Sequence, residues 1–114
     1  MNPQILLELL DKRLEELSNL NDVLTSLGEE KAKAEAVYKI ELRKELLNLR
    51  TEKVQVSIIN DMAKGKKEIA TLRYKRDIAA SNYFTCISAI DNKRLEIEVL
   101  RSKLTWLRVE LKNN

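Results

Sequence analysis

The sequence predicts an all-α chain: an antiparallel helical hairpin of two long helices with a short connector, coiled-coil-like and assembling into a larger bundle. Three observations carry this. Of 114 residues, 34% are charged and 4% aromatic, with two Gly and one Pro; a chain with so few turn-formers has little room for a sheet, which needs many turns. Apolar residues recur at three- and four-residue steps along both halves, the period of a helix face. The two periodic stretches are of similar length, and a change of character near the middle separates them. A chain of this size gains little by splitting its core, so one helical domain over 1–114 is expected, with a helix over about 3–50, a connector over about 51–65 and a second helix over about 66–112.

The first helix opens at Asn2-Pro3. Asn accepts a hydrogen bond from a free N–H of the first turn, and Pro suits the first helical position because its missing donor has no partner there. Leu7, Leu10, Leu14, Leu17 and Leu24 then form a seam, interrupted at Asn21, with Leu20 and Leu27 alongside. Gly28 admits two readings, a left-handed helix end or a lone helical glycine costing about 1 kcal/mol relative to Ala. Continuity is favoured, because Glu29 to Ala36 are strong helix formers with no turn cluster. The seam is expected to slip in register there before Tyr38, Leu42, Leu46 and Leu49 resume it.

From Thr51, the β-branched Val54, Val56, Ile58 and Ile59 fit a helix less well, and Asn60-Asp61 offers a cap for a short turn ending near Gly65. The second helix has the clearest pattern. Ile69, Leu72, Arg76, Ala79, Tyr83, Cys86, Ile90, Lys93, Ile97, Leu100, Leu104, Leu107 and Leu111 alternate steps of three and four without a break. If the chain folds back near Ile58, paired positions sum to roughly 116, which sets Ala32, Ala34 and Ala36 opposite Tyr83 and Phe84 and puts Leu10 near Trp106. A two-helix hairpin buries only one stripe per helix. The apolar excess at Leu6, Leu7, Leu9, Leu10, Trp106, Leu107 and Val109 therefore predicts an interface between chains, as a homo-oligomer.

The chain has no His and one Cys, so the usual metal and nucleophile constellations cannot be assembled and no catalytic residue, metal ligand or cofactor site is assigned. No glycine-rich phosphate loop is present. Paired acids such as Glu15-Glu16 and Glu29-Glu30 alternate with Lys and Arg, the pattern of a solvated helix face. The chain reads as a non-enzyme. Cys86 lies on the seam and is expected to pack as a small apolar residue. Arg76 and Lys93 interrupt the same seam, to fix register, to pair with an acid, or to extend along their stems into water; the last is favoured. With a lone cysteine, no hydrophobic run at the N-terminus and only short apolar stretches, the reading is a cytoplasmic protein with no membrane segment.

Charge is uneven. Residues 39–76 hold eleven basic side chains against five acidic ones, an excess of six in a chain whose net charge is +3, so the rest is acidic. Lys64, Lys66, Lys67, Arg73, Lys75 and Arg76 form the candidate site: a basic tip for phosphates or for an acidic protein surface, set against the plain alternative of a solvated helix end.

The order of these features resembles a group of small helical proteins encoded beside replication and recombination genes in phages of Gram-positive bacteria. The shared elements are the Leu-rich opening, the segment Ala34, Ala36, Tyr38, Leu49, Arg50, a Val-containing connector ending Ala63-Lys64-Gly65, and the run Glu68 to Asp77 followed by Tyr83. Gly28 departs from an uninterrupted first helix. The resemblance implies a phage origin, a location in the bacterial host cytoplasm and an accessory role beside DNA-processing proteins. Three functions stay open: an oligomeric adaptor supporting phage DNA replication or recombination, a stoichiometric inhibitor of a host defence or replication enzyme, and a coiled-coil scaffold without nucleic-acid contact. A protein partner is expected, and the first reading adds nucleic acid at the basic tip.

Overall fold

The computed structural model describes residues 2–113. Among them are three helices and no strand: α1 (Pro3–Thr51), α2 (Val56–Gly65) and α3 (Lys67–Asn113). The expected all-α class is what the chain adopts.

The α1 start follows the expected chemistry. Gln4 N–H donates to Asn2 Oδ1 at 2.9 Å, and Pro3 occupies the first helical position. The helix continues through Gly28 without a break, since the helix formers after it outweigh the glycine's local cost. A Cβ built on Gly28 would lie 3.5 Å from Tyr83 Cε2, an ordinary contact. Gly28→Ala should therefore stabilise the chain by about 1 kcal/mol, the propensity difference, with no steric penalty. A thermal melt followed by circular dichroism measures this, and a lowered midpoint would contradict the fit beside Tyr83.

A tight left-handed cap ends α1. Val54 N–H donates to Leu49 O at 3.2 Å and Lys53 N–H to Arg50 O at 3.0 Å, with Lys53 at φ 60. These two crossed bonds satisfy carbonyls that the helix leaves open, and Val54 packs back near Leu49. A lysine in this conformation costs about 1 kcal/mol relative to a relaxed backbone.

The segment expected to be a mere connector holds a helix. Asn60 and Asp61 lie inside α2 and cap nothing. A few β-branched residues lower helix propensity by only some tenths of a kcal/mol each, and α2 recovers more by burying Ile59 and Ala63, spaced four apart, against Leu42, Leu46 and Leu49. Gly65 closes α2, and Lys66, at φ −64 and ψ 134, is a one-residue extended joint whose carbonyl accepts from Ala70 N–H at 2.8 Å to begin α3.

Contacts divide the chain into two units, one of residues up to Thr25 with those from Phe84 onward, the other Ser26–Tyr83. In the first unit, Leu6, Cys86, Ile90 and Ile97 are buried. Arg13 meets Glu96, Glu16 meets Lys93, and Cys86 Sγ lies 3.6 Å from Leu20 O, so positions rise along α1 as they fall along α3. In the second unit, Tyr38, Leu49, Ile59, Ala63 and Ile69 are buried. Gly28 meets Tyr83, Arg76 lies over Tyr38 and Lys66 meets Glu45, in the same opposed order.

The line predicted on α3 is buried or half-buried at every position from Ile69 to Leu107, and only Leu111 is exposed. On α1 the line differs from expectation. Leu7 and Leu14 are exposed, whereas Leu6, Leu10, Arg13, Leu17, Leu20 and Leu24 turn inward. No slip follows Gly28: the same steps pass through Leu27, Lys31, Ala34 and Tyr38, because small and charged residues occupy seam positions that a count of apolar residues overlooks. The pairing register is also corrected. Tyr83 faces Gly28 and Lys31, the latter with its ammonium 5.9 Å from the ring centre, where a fold-back at Ile58 would have set position 33. Likewise it is Leu6, not Leu10, that shares a groove with Trp106. Within the second unit, α2 fills the connector and α3 begins beside Glu45, so its turn centres near Gln55.

Candidate interaction surfaces

The six basic residues singled out from the sequence all fall in the second unit, on the end of α2, the joint and the start of α3. Two of them are used by the fold. Lys66 Nζ donates to Glu45 Oε2 at 2.9 Å, and this hydrogen bond, with the charge of Glu45, raises the lysine above its ordinary pKa. Arg76 lies 4.5 Å over the Tyr38 ring and donates to Asp77 Oδ1 at 2.9 Å, so a seam position is filled by guanidinium stacked on an aromatic face. Lys64, Lys67, Arg73 and Lys75 are exposed, and among the described residues no ion pair engages any of the four. Lys75 also borders a shallow groove floored by Ala34, Val37 and Leu72.

Lys93, expected to extend into water, pairs instead with Glu16 at 2.7 Å and Glu96 at 3.3 Å. Arg13 adds contacts to Glu96 at 3.1 Å and Glu16 at 3.0 Å. The result is a four-residue network across the first unit, centred on the most sheltered of its charges, Lys93. The hydrogen bond from Lys93 holds the Glu16 carboxyl below the usual carboxylate range, and the same bond raises Lys93 above the usual lysine value. The sign follows from each direction. The Glu16 contribution is present above the ordinary carboxylate pKa and is lost as pH falls through the depressed value. The Lys93 contribution is present below the ordinary lysine pKa and is lost as pH rises through the raised one. Stability from this network should therefore be flat at neutral pH and fall at both extremes. Glu16→Gln should lower the neutral melting point slightly and reduce the acid-side slope, as read from melts over an acid pH series; an unchanged acid limb would mean the network contributes nothing.

The residues assigned to an interface between chains divide. Leu6 is only 1% exposed within its own chain, so it has no surface to offer and is withdrawn from that set: its position on the seam turns it inward. Leu7, Trp106 and Val109 are exposed, and Leu9, Leu10 and Leu107 are half-buried. Leu95 and Val99, absent from the assigned set, are exposed as well and border an open groove with Leu9, Arg13 and Leu100. Their signal was a second periodic line on α3, masked by the stronger first one.

Among the described residues, no group of three or more Asp, Glu, Cys or His is placed to hold a metal ion, and no helix is long and apolar enough to cross a membrane. No family model, curated protein or solved structure matches the chain.

Proposed function

We propose that the chain is a non-enzymatic oligomeric adaptor: an antiparallel helical hairpin that assembles into a larger bundle and presents a basic patch to the phosphate backbone of nucleic acid. The observation that carries this reading is the group Lys64, Lys67, Arg73 and Lys75, exposed and outside the ion pairs of the described residues, beside a helix joint. Cations already paired within the fold would have to break those pairs to bind phosphate, whereas these release only counterions. The sequence resemblance supplies the setting, phage DNA replication or recombination in the cytoplasm of a bacterial host.

Lys66 is a poor probe of binding, because reversing its charge would set a carboxylate against Glu45. The test is Lys67, Arg73 and Lys75→Glu, measured by fluorescence anisotropy on a single-stranded oligonucleotide over a salt series. The parent chain should bind with affinity falling as salt rises, and the variant should lose binding with helicity unchanged. Three phosphate contacts correspond to a log–log salt slope of roughly 2 to 3. Preference among base sequences should be weak, since no aromatic ladder lies on this patch. If no DNA binds at low salt but a tight protein complex forms that the same variant abolishes, the chain is a stoichiometric inhibitor of a host enzyme. If neither binds, it is a scaffold.

A further inference from the structure

The outer face of α3 in the first unit departs from the composition of the chain around it. Two residues along from the buried line of Ile90, Lys93, Ile97, Leu100 and Leu104 runs a second one, Asn92, Leu95, Val99, Ser102, Trp106 and Val109, in the same steps of three and four. None of the six is charged, in a chain that is 34% charged. Leu95 is 60% exposed, Val99 53%, Trp106 70% and Val109 45%. The corresponding outer positions of α1 in this unit are Ile5, Glu8, Lys12, Glu15, Asn19 and Asp22, four of them charged. So α1 has an ordinary solvated back, while α3 has the pattern of a helix buried on two sides.

The charges flanking this second line identify what covers it. Asp91, Glu96 and Glu98 border its N-terminal half, and Lys103, Glu110 and Lys112 its C-terminal half. A face acidic at one end and net basic at the other complements itself when two copies run in opposite directions. The geometry points to a second copy of this chain, its α3 outer face packed antiparallel on the first about a two-fold axis between Val99 and Ser102. In that register Leu95 faces Trp106 of the second copy and Asn92 faces its Val109. Glu96 then lies beside Lys103, Asp91 beside Lys112, Glu98 beside Thr105 and Glu110 beside Ala89, so no like charges meet. A parallel arrangement would instead set Asp91 of each copy against Glu96 of the other, two acids together. The open groove of about 380 Å³ next to Leu95 and Val99, walled by Leu9 and Arg13, receives the indole of Trp106 from the second copy, an aromatic anchor of the kind that dominates interfaces. This rests on the oligomeric part of the proposed function and adds the surface, the direction and the register.

Two measurements test it. In a Cys86→Ser background, differently tagged chains carrying Asn92→Cys and Val109→Cys are mixed and oxidised. The expected product is a mixed disulfide between the two, with little self-linking of either, because facing positions alone come within the reach of a disulfide. Self-linking by either chain alone, or no mixed product, overturns the register. In sedimentation equilibrium, Val99→Glu should convert the dimer to a monomer with unchanged helicity, the residue being exposed in the single chain. A dimer that survives Val99→Glu overturns the surface while leaving the oligomeric reading intact. A parent chain that is monomeric at tens of micromolar overturns both, and a monomer that captures a different protein through Val99 overturns the second copy as occupant.

Discussion

Ile90→Asp should cost the chain several kcal/mol and leave much of the helix unformed at ambient temperature. Ile90 is 4% exposed, so the substitution forfeits about 2 kcal/mol of apolar burial and places a carboxylate where little water reaches it. Lys93, three residues on and also on the inward side, already holds Glu16 at 2.7 Å and could answer the new charge only by leaving that pair. Ser88→Asp, two residues earlier on the exposed side of α3, puts the same carboxylate into water and should change stability by no more than about 0.5 kcal/mol. Urea melts of the two variants give the comparison. Equal midpoints would mean that the line through Ile90 is not the core of the first unit.

That line was legible because α3 obeys a single rule from Ile69 to Leu107. A strict alternation of threes and fours is hard to satisfy by chance, and even its two charged members, Arg76 and Lys93, turned out to lie on the buried side. The α1 line was legible only in part. Leucine is so frequent near the start of the chain that Leu7 and Leu14 fit a helical period as well as Leu6 and Leu10 do. The line that is buried passes through Arg13, Lys31 and Glu45, which hydrophobicity alone excludes. Their partners decide it: Arg13 has Glu96, Lys31 has Tyr83, and Glu45 has Lys66.

The register could not be read because it depends on how the chain turns, and the turn was misread. Propensity treats Val56, Ile58 and Ile59 as weak helix formers, but α2 is held by what it packs against: Ile59 and Ala63 reach Leu42, Leu46 and Leu49 from elsewhere in the chain. A similar limit applied to the basic group. Composition found the surplus of lysine and arginine in residues 39–76, yet could not separate Lys66 and Arg76, spent on Glu45 and Tyr38, from Lys64, Lys67, Arg73 and Lys75. Gly28 shows the reverse case. A residue that could have been a helix stop is a small residue facing Tyr83, in the place that a fold-back at Ile58 would have given to the alanines several residues later.

Ala63→Leu should release α2 from the rest of the second unit. Ala63 has no exposed surface and shares a buried cluster with Leu49 and Ile59, against which Leu42, Leu46 and Val54 pack. Three added carbons have no space there, and overfilling of this kind costs about 1–3 kcal/mol. The strain has one cheap outlet. A ten-residue helix is too short to hold itself together in water, so moving α2 away sacrifices less than distorting α1 or α3. Detachment would also part Lys66 from Glu45, since the joint follows α2 directly. Hydrogen exchange should show amides of Ile59 to Ala63 losing protection in the variant, while those of the first unit, such as Ile90 and Ile97, keep theirs. Ala63→Gly supplies the control: it leaves the packing open and weakens α2 by about 1 kcal/mol through backbone entropy alone. Unchanged protection across α2 in Ala63→Leu would mean that the contact between α2 and the end of α1 is loose, and that Ile59 and Ala63 do not set where α3 begins.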